Sequence, residues 1–457
     1  MFSTNWLALF ALGVVALMFW LIFFLGKRGL NWNLQFVISL ILGIGVGIVF
    51  RDNQYFANNL EYVRLIGTIY IGITEALVVP LVFVAILSSV TQLNNAKQLK
   101  TLGSKSIFWL TIHTVISIVL TLIVCTAIGV GKNVSLSIEG LNATKYENIG
   151  TKFTDVLTGF FPRNIVAEMA DNRIIPIILF ALALAVAYIT YGEKQKVEPF
   201  KNFIEAAKEL VYKVVGYIVD LIPFIVLPLA ADAAVKTGSK LSALLPLLLI
   251  IVVIYVLCIL QTFVVGGLLV KFVAKLSPVR FFKKISGALI MGFTTQSTIA
   301  VLPTTINSLI KKVGVKEEVS NFTASIGATV GMPGCAGIWP VALAVFTINY
   351  LKLPYTPVQY VTLGIIALAV SYGTAGVSGT AVITATAVFT TAGLPLEVFV
   401  LLMPISFIVG MARTPTNVSC QCVSAAIVAR QTGELNEDIF YDRQPAPSSL
   451  PLVATEA

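Results

Sequence analysis

Ser371-Tyr372-Gly373-Thr374-Ala375-Gly376-Val377-Ser378-Gly379 sits at the middle of the apolar run Val358–Pro395. Glycines and small polar residues at the centre of such a run argue against one plain helix. Two helical arms joined by a tip, a re-entrant hairpin, fit better. A last helix at about 396–429 follows, with Gly410-Met411-Ala412-Arg413-Thr414-Pro415 at its centre. The same order occurs earlier. Ser286–Leu309 holds Thr294-Thr295-Gln296-Ser297-Thr298 at its middle, and a helix at about 319–350 follows, broken at Gly331-Met332-Pro333-Gly334. Arms of about ten residues at ~1.5 Å per residue reach ~15 Å, half a bilayer core. The first hairpin starts and ends in Lys clusters and the second does not, so the two are entered from opposite sides. That is an inverted repeat, the sequence pointer to a midplane binding site in a secondary transporter. The plainer alternative is two Gly-rich spans packed through small residues.

Composition agrees with a membrane chain. Of 457 residues, 57% are hydrophobic and only 12% charged, and the mean hydropathy is +0.91. Soluble domains carry about 25% charged residues. Soluble globular, disordered and coiled-coil readings are excluded, leaving an all-α polytopic membrane protein in a lipid bilayer. The net charge of +9 reflects Lys/Arg clusters between apolar runs, the pattern of cytoplasmic loops rather than of nucleic-acid binding. The five Cys lie in apolar or small-residue stretches without disulfide or zinc spacing. Cys420 and Cys422 read as helix packing rather than as a metal or redox pair.

The expected organisation has about nine transmembrane helices plus the two hairpins. Trp6–Leu25 ends in Lys27-Arg28 and reads as a retained helix within an extra segment, 1–30. Helices in 31–102 follow, then a helix and external loop in 103–153, then helices in 154–238. Within the last region a charged amphipathic stretch, Glu193–Lys213, precedes a separate span at about 214–232. The remainder, 239–433, carries the hairpins 285–309 and 358–395. An acidic, Pro/Ser-rich tail, 434–457, is expected to be cytoplasmic and disordered.

Arg413 is the sharpest residue. It is the only Lys or Arg between Lys352 and Arg430, and Glu397 is the only acid between Glu318 and Glu434. An Arg at a membrane-helix centre costs about 2.5–3.5 kcal/mol on insertion scales. A transport Arg would meet an anionic group of the substrate as a bidentate partner. Asn417 lies one turn away on the same face. At a hairpin tip, backbone N–H groups can hold a carboxylate and freed carbonyls a hard cation. His113, the only histidine, fits either a neutral side chain in a helix interface or a proton-coupling group. Glu75, Asp220 and Asp232 read as buried interhelical partners.

From about Asn33 to Arg430 the chain resembles the dicarboxylate/amino acid:cation symporters, the glutamate-transporter homologues. The resemblance rests on Ser371–Gly379, on Arg413-Thr414-x-x-Asn417 and on Ser297-Thr298-Ile299-Ala300-Val301-Leu302-Pro303. It implies a homotrimer in which a transport part moves against a scaffold, elevator fashion. The transport part comprises the His113 helix and 239–433; 31–102 and 154–238 are scaffold. Substrate would lie among Ser297, Thr298, Cys335, Val377, Gly379, Gly410, Arg413, Thr414 and Asn417. A sodium ion would use backbone oxygens near Thr329, Ser371, Tyr372 and Thr374.

The departures are as informative. Gly331-Met332-Pro333-Gly334 replaces the family's Asn-Met-Asp-Gly, and Ser406, Gly410 and Gln421 stand where three Asp are usual. Gln296 replaces the usual Arg of the first hairpin. This combination resembles the family's L-cystine uptake subgroup, in which small residues at 406 and 410 would enlarge the pocket. The implied function is import of an amino acid, L-cystine first, coupled to Na+ and/or H+ with no cofactor. An acidic amino acid or dicarboxylate is the alternative substrate. An intramembrane hydrolase lacks a recognisable nucleophile–base motif, and one asymmetric Arg does not suit a channel filter. No enzymatic activity is expected.

Overall fold

The computed structural model describes residues 6–30, 32–50, 69, 72–73, 76–88, 90–91, 102–132, 134, 161–171, 173–221, 223–227, 230–231, 245–374, 376 and 379–444. These residues are helical throughout, apart from turns and an isolated antiparallel bridge between Val315 and Leu435. Three helical stretches among them are long and apolar enough to cross a membrane: Ser104–Ile128, Lys194–Leu227 and Leu248–Phe272.

The last helix, Leu396–Thr432, is the post around which the rest is arranged. Its 37 residues span about 55 Å at ~1.5 Å per residue. It runs through Pro404 and Pro415 without a break and stops at Gly433, whose φ of +75° places it in the left-handed region that ends many helices. Against it pack the helix Leu245–Ile259, the first hairpin, the helix Glu317–Gly327, the π-helical turn Pro333–Ile338 and the helix Ser104–Ile128.

Both predicted hairpins are helical pairs. The first comprises Pro278–Thr295 and Thr298–Ser308. Its first arm starts well before residue 285, because Pro278 at the head of the helix is preset for helical φ. Eighteen residues make that arm about 27 Å long, not the ~15 Å expected. The second comprises Pro357–Ser371, opened by a Thr356/Gln359 capping box, and Ala381–Ala392. The helices that follow the two hairpins differ. Glu317–Gly327 and Trp339–Tyr350 are separated by the Gly331–Pro333 break, whereas Leu396–Thr432 is continuous.

Three expectations need correcting. The amphipathic stretch from Glu193 runs without a break into the first part of the span after it, as one helix, Lys194–Asp220. Ile204, Val215 and Ile218 are all buried in one core, so a single apolar stripe crosses the supposed boundary. Asp220 is exposed at the end of that helix rather than buried between helices, and Glu75 and Asp232 lie outside the described residues.

The tail is the third correction, since residues 433–444 fold back as a strap on the base of the first hairpin. Asn436 N–H donates to Gly314 O at 2.7 Å, and Lys316 N–H to Glu434 O at 3.0 Å. Lys284 Nζ reaches Asp442 Oδ1 at 2.7 Å and Ile439 O at 3.2 Å. Phe440, fully buried, anchors the short helix Glu437–Phe440. Composition is misleading because one buried aromatic and ion pairs from Lys284, Arg280, Lys316 and Arg430 are enough to hold so short a segment. The later tail residues, 445–457, lie outside the described residues.

The strap should respond to pH through Asp442. The Lys284 hydrogen bond and charge, with Arg280 and Lys283 nearby, hold its carboxyl below the usual carboxylate range. A depressed carboxylate contributes stability above its unfolded pKa of about 3.9, and loses it as pH falls through the lower folded value. Amide exchange at Phe440–Arg443, corrected for intrinsic rates, should therefore show constant protection from pH 7 to about 4 and loosening below. Asp442→Asn should be loosened already at pH 7 and lose the pH dependence.

Candidate binding site between the hairpin tips and the last helix

Arg413 projects into the interior from the middle of the last helix and is 4% exposed. Among the described residues it has no ion pair. Its Nη2 donates to Ser406 O at 2.6 Å and to Ser406 Oγ at 3.3 Å. Its Cζ lies 4.7 Å from the centre of the Trp339 ring. Nε and Nη1 have no hydrogen-bond partner among the described residues. A buried guanidinium with two idle nitrogens is costly, because its desolvation is not offset by an opposite charge.

Glycines let other backbone and side chains reach it. A Cβ at Gly334 would overlap Arg413 O, and one at Gly410 would overlap Gln296 Oε1 while lying 3.3 Å from Arg413 Nη2. The space expected at residue 410 is thus occupied by the Gln296 side chain in this conformation. Gln296 ends the first arm with φ +54°, a left-handed conformation uncommon for a residue with a Cβ. Ser297 then caps the second arm by accepting from Ala300 N–H.

The two tips meet at Gly376. Its carbonyl accepts from Ser297 Oγ at 3.1 Å, Thr298 Oγ1 at 3.2 Å and Ile299 N–H at 3.1 Å. Thr298 Oγ1 also reaches Ala328 O at 3.2 Å. Gly376 has to be glycine here, because a Cβ would overlap Thr298 Oγ1 and Ala328 O.

Asn417 is engaged within the protein. Its Oδ1 accepts from Gly334 N–H at 2.8 Å, and its Nδ2 donates to Cys335 Sγ at 3.0 Å. Thr414 is buried against Gly292 of the first hairpin. Gly379 has φ +83° beside the second tip, and Val377 lies outside the described residues.

The predicted cation ligands lie where the Gly331 break meets the end of Pro357–Ser371. Gly331 N–H donates to Ser371 O at 3.3 Å, Tyr372 OH pairs with Thr111 Oγ1 at 2.6 Å, and Thr374 Oγ1 donates to Val370 O at 3.2 Å. Thr329 Oγ1 donates to Ile326 O. No cluster of three His, Cys, Asp or Glu suited to a metal occurs among the described residues. His113 is buried. Its carbonyl accepts from Gln261 Nε2 at 3.1 Å, and its Nε2 has no partner among the described residues.

A buried guanidinium beside the tip of the first hairpin, with nitrogens left to donate, suits binding of an anion-bearing solute. Residues 33–431 match the sequence profile of the sodium:dicarboxylate symporter family. The chain belongs to that family. An uncharacterized symporter of Haemophilus influenzae is 30% identical over 86% of this chain and 92% of its own length. L-cystine uptake proteins TcyP of Bacillus anthracis and Shouchella clausii are each 27% identical, over 93% and 95% of this chain and 95% and 97% of their own. These relatives of the symporter are transporters, not enzymes.

Two residues beside Arg413 are not legible as such in the sequence: Gln296 stands out only for the Arg it replaces, and Trp339 lies in no motif. An aromatic opening the helix just after a Pro-Gly break was the available signal. The tip contact itself is testable. Gly376→Val should separate the tips, lowering uptake at least ten-fold at unchanged expression. A cysteine placed at Ser297 should then react faster with a maleimide than in the Gly376 background.

Proposed function

We propose that this symporter imports an amino acid, L-cystine in first place, across a bacterial plasma membrane as a multi-pass carrier driven by Na+ and/or H+. The observation that carries the reading is Arg413, buried, without an ion-pair partner among the described residues and with two nitrogens free. A substrate carboxylate completes its coordination, with Ser297, Thr298, Cys335, Val377, Gly379, Gly410, Thr414 and Asn417 around it. The names of the TcyP relatives favour cystine. The family description favours an acidic amino acid or dicarboxylate, which is the second reading.

In this mechanism the tip at Gly376 withdraws to admit substrate and closes behind it. The hairpins re-enter the membrane without crossing it. The unit 239–433, with the helix of 103–153, then moves against scaffold helices in 31–102 and 154–238, in a homotrimer. One sodium ion sits among backbone oxygens near Thr329, Ser371, Tyr372 and Thr374. Ser371 O already accepts one hydrogen bond and retains a second lone pair. His113 is the candidate proton carrier.

The test is uptake into proteoliposomes with imposed gradients. Radiolabelled L-cystine should accumulate, with competition by cystine stronger than by cysteine, aspartate or glutamate. Arg413→Gln should lower uptake by at least 100-fold with an unchanged melting temperature. Wild-type affinity in that variant, or downhill flux only, would overturn the reading.

Coupling is read separately, from uptake across pH 5.5–8 at a fixed sodium gradient, bracketing the reference His pKa of about 6.5. If His113 carries a proton, uptake falls as pH rises and His113→Gln flattens the profile. A profile the substitution leaves unchanged removes His113, and uptake without sodium removes the sodium site as obligatory.

A further inference from the structure

We propose that Trp339 is the positioning residue for Arg413: its indole face fixes the plane of the guanidinium, and with it the directions in which the unbonded Nε–H and Nη1–H groups can donate to a ligand. The proposal rests on Arg413 as the anion-binding residue and deepens that reading.

The guanidinium has two supports. Ser406 holds one corner, through Nη2. A single corner fixes a point and leaves the plane free to turn about it. Trp339 supplies the second support, with Cζ 4.7 Å from its ring centre, within the ~6 Å at which a cation is attracted to an aromatic face. A corner and a face together fix position and plane. Nε and Nη1 are the nitrogens left over.

The indole is itself held rigidly. Trp339 is fully buried and opens the helix Trp339–Tyr350 directly after the π-helical turn Pro333–Ile338. That turn is registered on the last helix by backbone contact. A Cβ at Gly334 would lie 2.9 Å from Arg413 Cα, and Gly334 N–H donates to Asn417 Oδ1. The two side chains thus come from elements already fixed to one another.

Among the described residues nothing polar uses the indole: its Nε1 is buried without an acceptor, whereas a buried tryptophan ordinarily finds one. If Trp339 served only to fill space, an aliphatic side chain would do so without that orphaned N–H. Its ring face is what Arg413 uses. Because a guanidinium recognises a carboxylate through planar, directional hydrogen bonds, loosening the plane should weaken binding rather than slow the movement that carries substrate across.

The experiment uses the full-length purified protein and Trp339→Phe, Trp339→Leu and Arg413→Gln. Uptake is measured with L-cystine, L-aspartate and L-glutamate. For the substrate whose uptake Arg413→Gln abolishes, Trp339→Leu should raise KM at least ten-fold with the maximal rate within two-fold. Trp339→Phe, which keeps a ring face, should raise KM less than three-fold. A ligand-free readout accompanies it. The Trp339 emission, taken as wild type minus Trp339→Phe, should change in intensity or wavelength when Arg413→Gln removes the cation. An unchanged KM in Trp339→Leu, or a fallen maximal rate at unchanged KM, overturns the proposal and leaves Arg413 in place. Wild-type uptake in Arg413→Gln overturns both. If Trp339→Leu does not fold, the emission decides, and its indifference to Arg413→Gln overturns the proposal.

Discussion

A guanidinium held in an apolar interior, with no carboxylate beside it among the described residues, is the constraint on which the rest of the site depends. Placing such a charge at a membrane-helix centre costs about 2.5–3.5 kcal/mol on insertion scales, and the protein returns only part of it. Ser406 gives one carbonyl and a hydroxyl, and Trp339 gives a ring face. The neighbouring glycines are consequences of that choice. Gly334 lets a π-helical turn lie directly on the Arg413 backbone, and Gly410 admits Gln296 where a larger residue would exclude it. Asn417 then ties the turn to the last helix. The interior is tightly fitted and remains one charge short, which suits a ligand that brings that charge.

The contact between the two tips is weak by construction. Three donors converge on the single carbonyl of Gly376, which has only two lone pairs. They share rather than add. A hydrogen bond contributes about 0.5–1.5 kcal/mol net, so this contact supplies a few kcal/mol at most. A ligand that prefers one arrangement of the tips by a comparable amount shifts the population substantially. Glycine keeps the contact short, and the shared acceptor keeps it breakable.

Much of this was legible in the sequence because it is written in residue types with strong backbone consequences. Gln296-Ser297 and Tyr372–Thr380 interrupt helices where small and polar residues interrupt apolar runs. The Gly331–Pro333 break and the isolated Arg413 follow for the same reason. What stayed hidden depends on contacts distant in sequence. Trp339 is one aromatic among many until the π-helical turn brings it under Arg413. The Lys194–Asp220 helix looks like two elements in composition, because its polar face ends long before its apolar stripe does. The tail looks disordered until Phe440 finds its pocket.

That strap bears on how differently the two hairpins are held. At the base of the first, Gly314, Lys316 and Lys284 are bonded to Asn436, Glu434 and Asp442. Gly314 has φ +83°, and a Cβ there would overlap Asn436 O, so the fit is made through backbone. The end of the last helix and the base of the first hairpin are therefore joined beyond the packing of their helices. Gln296 and Thr414 join them again nearer the tip, through the contacts at Gly410 and Gly292. Displacing the first hairpin from the last helix means breaking both sets together. The final turn of the last helix thus reinforces the first hairpin, while the described hydrogen bonds between the tips converge on the shared Gly376 carbonyl.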